Sequence, residues 1–210
     1  MKLFFNDVET TGLSTEKHDI IQIGGLISNK FKILEEINFK CQPSRWDTIN
    51  AMALSVNNTT KEQLKTYELP EQTWKKYSQL LLKHFNGEKY VFVAQNAPFD
   101  RRFIRQWWNT YKTKDVKDFD YYFQPDNLDL MDITRQLKKY GFLKIENLKL
   151  ETVIKAFGII VEGDLHDALV DIKATGNSIY RSLQLVSKIK QQDPNNVVVK
   201  KFNKWIPLLG

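Results

Sequence analysis

The sequence has a single cysteine, Cys41, so no disulfide can form within the chain and a disulfide-stapled secreted domain is excluded. A reducing compartment, the cytoplasm, is the expectation. Long apolar runs are also missing. The stretch from Met1 to Phe5 is soon followed by Asp7 and Glu9, which is too short for a signal peptide or a spanning helix. No membrane partner is expected, and the sequons at Asn57 and Asn58 read as accidental. No internal repeat occurs, so a solenoid is set aside.

What remains is enough for a folded domain. A chain of 210 residues that is 42% hydrophobic can bury a sizeable core, and it suits one large domain better than two small ones. The formal net charge of +6 favours polyanionic partners, although the charges are scattered.

The pattern of elements points to an α/β architecture. Leu3 to Glu9 is apolar until its end, as in a central strand buried on both faces with acids emerging at its carboxyl end. Ile20 to Ile27 and Phe31 to Phe39 read as an antiparallel hairpin, and Tyr90 to Ala94 as a second buried strand. Helical patterns cover about Ile49 to Val56, Thr60 to Thr66 and Pro70 to Phe85. Another starts at Pro98, with Phe99, Phe103, Trp107 and Tyr111 as its inner stripe. Thr113 to Asn127 shows no clear period, and Leu128 to Met131 reads as a short strand running into a helix that Gly141 ends. Two further helices follow, one stopping at Gly158 and one from about Asp167 to Lys190. The expected layout is a mixed β-sheet flanked by α-helices over residues 1–190, with a tail at 191–210 that is a packed extension or a partner contact. A terminal strand packed on the body, or a contact for nucleic acid or a protein partner, is the expectation for Lys200 to Ile206.

Three distant segments carry the chemistry. They are Asp7-Val8-Glu9-Thr10-Thr11-Gly12, Asn96-Ala97-Pro98-Phe99-Asp100 and His166-Asp167-Ala168-Leu169-Val170-Asp171. Side chains alternate along a strand, so Asp7 and Glu9 point to one side. Asp100 falls in the first turn of its helix, after a buried strand, where α/β sheets place their ligands. Asn96 is expected to close that turn, fix Asp100 and border the substrate. His166 and Asp171 are five residues apart, about 140° around a helix, so His166 belongs in the preceding loop or first turn. If the four acids converge, each like-charge pair at about 4 Å costs roughly 4 kcal/mol at an effective dielectric near 20, and only bound cations would stabilise the cluster at neutral pH. Arg101, Arg102 and Arg105 are candidates for phosphate contacts or plain solvation, and one of Trp107 and Trp108 is a candidate for base stacking.

Taken in this order, Asp-x-Glu-Thr-Thr-Gly, Asn-Ala-Pro-Phe-Asp and His-x-Ala-Leu-x-Asp resemble the DEDD-type 3′-to-5′ exonucleases, in the branch whose third motif contains histidine. That family includes proofreading subunits of bacterial replicases and ribonuclease T. The resemblance spans about Lys2 to Leu185 and implies a ribonuclease H-like fold and a two-metal mechanism with Mg²⁺ or Mn²⁺. It assigns Asp7 to both ions, Glu9 and Asp171 to the nucleophile-side ion, and Asp100 to the second. An imidazole ordinarily titrates near about 6.5, so a histidine can be neutral at working pH, and His166 is given the proton of the attacking water. Thr10, Leu13 and Phe99 are the residues implied to grip the terminal nucleotide. Gln95 and Asn57-Asn58 stand where many relatives have histidine and histidine-glycine, which leaves the preferred nucleotide open.

The expected activity is release of nucleoside 5′-monophosphates from the 3′ end of single-stranded DNA, as a free-standing proofreader alongside a polymerase or other replication partner. The competing readings are an exoribonuclease of RNA maturation or oligonucleotide turnover, and a non-hydrolytic module that only binds nucleic acid. Neither DNA-over-RNA preference beyond this leaning nor oligomeric state is readable from the residues.

Overall fold

The computed structural model describes residues 1–210. Five strands form one mixed sheet: β1 (Lys2–Thr10), β2 (Ile20–Asn29), β3 (Lys32–Lys40), β4 (Tyr90–Ala94) and β5 (Phe123–Asp129), in the order β3-β2-β1-β4-β5. β1, β2 and β3 pair antiparallel, while β4 and β5 run parallel to β1. The helices are α1 (Ala51–Val56), α2 (Lys61–Leu64), α3 (Pro70–His84), α4 (Ala97–Tyr111), α5 (Phe119–Tyr122), α6 (Leu130–Lys139), α7 (Leu150–Phe157), α8 (Ala168–Gln192) and α9 (Val197–Phe202), followed by a 3₁₀ helix at Asn203–Leu209. No helix is long and apolar enough to cross a membrane.

The alternation of β1 divides the core in two. Leu3 and Phe5 face one layer, where α6, α8 and α9 supply Ile133, Leu137, Ile172, Ile179, Leu183 and Val199. Phe4 and Val8 face the other, where α3 and α4 supply Trp74, Tyr77, Phe103, Ile104 and Trp108. Asp7 and Glu9 continue the odd-numbered side, so the period of two carries both acids toward α8. On the even side the buried Asn6 is held by Tyr77, whose hydroxyl donates to Asn6 Oδ1 at 2.7 Å.

Several elements differ from the sequence reading, each for a local reason. β5 begins at Phe123, well before Leu128, because an edge strand tolerates Pro125 and the polar Asp126-Asn127 that break a central pattern. The carboxyl-terminal segment is helical, with no terminal strand. Val198, Val199, Phe202, Trp205 and Leu208 are buried against α8 and α6, and Lys201 and Lys204 pair with Asp132 and Asp126. Trp107 and Trp108 are both buried, so neither offers a face to a base. Thr60 caps α2 in a reciprocal box with Gln63, and Gly141 and Gly158 end α6 and α7 with left-handed backbone.

Candidate active site

The amino-terminal acids meet the third motif because α8 comes unusually close to the sheet. Asp7 pairs with Gly24 across the antiparallel β1–β2 ladder, and the amino end of α8 lies on Gly24: a Cβ there would collide with the carbonyl of Ala168. Only the missing side chain permits this approach. Asp167 caps the helix by accepting from the amides of Leu169 and Val170, and its other oxygen accepts from Gln22 Nε2 at 2.9 Å. Asp171, one turn further on, is thereby set against β1. One carboxylate oxygen each from Asp7, Glu9 and Asp171 lie within 4.8 Å of one another.

Asp100 reaches the same end of β1 from the other layer. β1 and β4 pair only through Leu3, Phe4 and Phe5, and where β4 gives way to α4 the Val8 amide has no ladder partner there. The Asp100 carboxylate takes it: Val8 N–H donates to Asp100 Oδ1 at 3.1 Å, and the side chain is buried. Asn96 begins the helix without a side-chain capping bond, so it does not fix Asp100 as expected; its side chain is exposed at the turn. His166 lies in the loop before α8 with φ of 75°, in the left-handed region that non-glycine residues rarely adopt. Its amide donates to both Asp171 oxygens at 3.3 and 3.4 Å, which ties the loop backbone to the acid cluster and leaves the residue exposed.

The electrostatics match an acid cluster with no counter-charge. Burial first, then Asp171 and Asp167, push the Asp7 carboxyl up to about 8. Glu9 is pushed up to about 9 by burial, with Asp7 as its first charged neighbour. Asp171 and Asp100 are raised as well, chiefly by burial, Asp100 further by Asp7. Asp129, which caps α6 through the Met131 amide behind Asp100, is pushed up to about 6 by burial. Oxygen donors this close, and this reluctant to ionise without a cation, fit hard divalent ions. Asp7, Glu9 and Asp171 are the residues that could hold one.

A cleft of about 350 Å³ opens beside Glu9, lined among others by Thr10, Leu13, Met52, Val56, Asn57 and Phe99. Thr10 is itself buried and donates to the Gly12 carbonyl at 2.8 Å, so it shapes the loop more than it exposes a hydroxyl. Leu13 is 77% exposed and Met52 76%, facing apolar surface into the opening. Met52, Val56 and Asn57 lie outside the sites expected from the sequence. An apolar side chain left exposed on a short helix is the signal for the first two, and Asn57 enters by donating to the Thr10 carbonyl at 3.0 Å. Of the three arginines, Arg101 is buried and donates to the Gln124 carbonyl and to Asn127, pinning β5, and Arg105 pairs with Asp120. Neither is free for phosphate. Arg102 donates to the Leu13 carbonyl and lies over the Phe99 ring, bridging the two walls of the cleft.

Comparison with known proteins agrees with this geometry. Residues 4–178 match the family described as Exonuclease. The chain is 28% identical over 187 residues to "DNA polymerase III PolC-type" of Thermotoga petrophila, covering 87% of this chain and 12% of that protein. The protein of the same name from Listeria monocytogenes is 25% identical over 185 residues, covering 88% of this chain and 11% of its own length. The chain thus spans about an eighth of the curated relatives it matches. Among solved structures, the zinc-bound E. coli ExoI-ssDNA complex superposes with a TM-score of 0.72 at 18% identity, over 97% of this chain and 43% of that one. A nuclease domain described as a DEDDh family member bound to rAMP gives 0.62 at 19% identity, over 87% and 92%. Both show the fold, a mixed sheet of ribonuclease H-like type. With residues 4–178 matched, which is most of its 210 residues, this chain belongs to the exonuclease family.

Proposed function

We propose that the protein removes nucleotides from the 3′ end of single-stranded DNA and releases nucleoside 5′-monophosphates. The observation that carries this reading is the convergence of Asp7, Glu9 and Asp171 on one point, with His166 tied to Asp171 and an apolar cleft alongside. Asp7, Glu9, Asp171 and Asp100 would hold two Mg²⁺ or Mn²⁺ ions, which supply charge stabilisation for the attacking and leaving oxygens of phosphodiester hydrolysis. The terminal base enters between Leu13 and Phe99, beside Thr10, and Asn96 is exposed at the start of α4. His166 accepts the proton of the attacking water. Water adds to the scissile phosphorus, the bond to the 3′ oxygen of the preceding nucleotide breaks, and that oxygen takes a proton from solvent and leaves as the new 3′ hydroxyl.

The leaning toward DNA and toward proofreading beside a polymerase is supported by the PolC-type relatives. A fold neighbour described as a 3′-exonuclease recognising the end of histone mRNA stem-loop supports the exoribonuclease as the second reading. One digestion tests both: 3′-labelled and 5′-labelled single-stranded DNA and RNA, each with Mg²⁺, Mn²⁺ or EDTA, comparing wild type with His166→Ala. Metal-dependent release of mononucleotides from the 3′ end, reduced about 10²- to 10⁴-fold in the variant, is the expected result. Faster loss of RNA would replace DNA as substrate, and binding without release under any metal would leave a non-hydrolytic module.

A further inference from the structure

β2 is buried along nearly its whole length, and Gln22 is the one amide side chain inside that buried stretch. A buried amide needs acceptors for its two N–H groups, and Gln22 has one for each: Nε2 donates to Asn38 Oδ1 and to Asp167 Oδ2, both at 2.9 Å. Gln22 stands opposite Glu9 in the β1–β2 ladder and two residues before Gly24. It therefore faces the side of the sheet that carries the acids and on which α8 rests.

The contact occupies the last free oxygen of Asp167. Oδ1 accepts from the amides of Leu169 and Val170 at 3.0 and 3.3 Å as the cap of α8, and Oδ2 has Gln22 alone. The charge of Asp167 reaches Asp7, Glu9 and Asp171, yet the oxygens that converge within 4.8 Å leave it out. Its place is on the helix, and the backbone on either side of it carries the site. His166 precedes it with its left-handed φ, and the Asp171 amide donates to the Asp167 carbonyl at 2.9 Å in the first turn. Gly24 permits the helix to come close, but the absence of a side chain supplies no attraction. Two polar ties join the first turns of α8 to β2 and β3. The ion pair of Lys173 with Glu36 is 44% and 45% exposed, where such pairs contribute little; the sheltered tie is Gln22 to Asp167.

We propose that Gln22 is a positioning residue for the acid cluster: its amide, donating to Asp167, clamps the first turn of α8 onto β2 and so sets Asp171 and His166 relative to Asp7 and Glu9. Gln22 itself lies outside the three converging acids. The side chain has to be an amide because Asp167 Oδ2 needs a donor, and a glutamate of the same shape would set an oxygen against an oxygen. The inference rests on the exonuclease reading above.

Three variants of the full chain test it: Gln22→Glu, the double Gln22→Glu/Asp167→Asn, and Asp167→Ser. In the double variant the donor and acceptor change places at unchanged net charge, since an asparagine at 167 keeps an oxygen for the Leu169 and Val170 amides and turns its NH₂ to the new carboxylate. Serine at 167 still caps the helix but is too short to reach Gln22, which separates the clamp from the cap. With Mn²⁺ and dT20, kcat per folded molecule is expected to fall about 10- to 100-fold in Gln22→Glu and in Asp167→Ser, with KM near wild type, and to recover most of that loss in the double variant. The Mn²⁺ concentration at which the thermal midpoint has risen halfway should increase in the same two variants and return in the double. A double variant no better than Gln22→Glu, or Asp167→Ser with wild-type kcat, overturns the clamp. Should Gln22→Glu fail to fold, Asp167→Ser decides alone. Wild-type protein that releases no nucleotide overturns the exonuclease reading instead, and the Mn²⁺ half-points then still decide the clamp.

Discussion

The carboxyl groups of Asp7 and Glu9 show what the acid cluster costs the fold. Both are raised far above the ordinary carboxylate range, to about 8 and about 9, by burial and by each other's neighbours. A folded-state pKa above the unfolded one means that the native state binds more protons, so stability is highest below the unfolded value near 4 and falls as pH rises toward about 9. In EDTA the thermal midpoint is therefore expected to decline between pH 5 and 9, and Asp7→Asn should flatten the decline. Mn²⁺ should restore the midpoint most at the alkaline end. A midpoint that rises with pH in EDTA would refute the electrostatic account. Gly24 makes the second argument at this scale. Gly24→Ala sets a methyl group against the Ala168 carbonyl, and overpacking of this kind costs about 1–3 kcal/mol. Because α8 must retreat with Asp171 on it and His166 in the loop before it, hydrolysis should fall further than the denaturation midpoint implies, while a glycine-to-alanine change at Gly210, where nothing lies within 4 Å, gives no such loss of activity.

Between elements, the site depends on a few ties across the sheet. α3 is joined to β1 through Tyr77 and the buried Asn6. Tyr77→Phe leaves Asn6 Oδ1 without that donor, and the expected cost is about 1–3 kcal/mol in urea unfolding, with an unchanged m value. α4 is joined to β1 through Asp100 and the Val8 amide and to β5 through Arg101. Arg101→Met keeps the aliphatic packing but abandons the Gln124 and Asn127 acceptors, so it should lower stability by about 1–3 kcal/mol without changing single-strand affinity. A drop in affinity with intact stability would return Arg101 to the role of a phosphate contact. Arg102 holds the opposite position: it touches Leu13 and Phe99, and it belongs to the walls of the cleft.

At the scale of the whole molecule, the two core layers meet at the carboxyl end of β1, where the sheet changes from antiparallel to parallel pairing. That reversal opens the crevice in which α/β sheets bind ligands, and all four acids border it. The helices after Asn196 complete the layer under α8 with Val198, Val199, Phe202, Trp205 and Leu208. Burying each such side chain is worth about 1.5–3 kcal/mol before the entropy of ordering is subtracted. Deleting residues 197–210 should lower the thermal midpoint by about 10 °C or more, since about 1 kcal/mol moves a domain of this size by roughly 2–4 °C. A truncated chain with an unchanged midpoint would show that these helices are an ornament on a self-sufficient core.

The sequence by itself determined whatever follows from period and order. An apolar run ending in Asp7 and Glu9 could only be a buried strand with its acids on one side, and the stripe from Ile172 through Thr175, Ile179, Leu183 and Val186 could only be the inner face of a long helix. The motifs and their order pointed to the family on the same footing. Tertiary structure decided what depends on close approach between distant segments: that α8 can lie on β2 because residue 24 has no side chain, that Asp100 is held by the Val8 amide and Asn96 makes no cap, and that Arg101 is an internal tie. Composition and periodicity carry direction along one element. They carry no distance between two, and an acid cluster assembled from separate elements is a matter of distances.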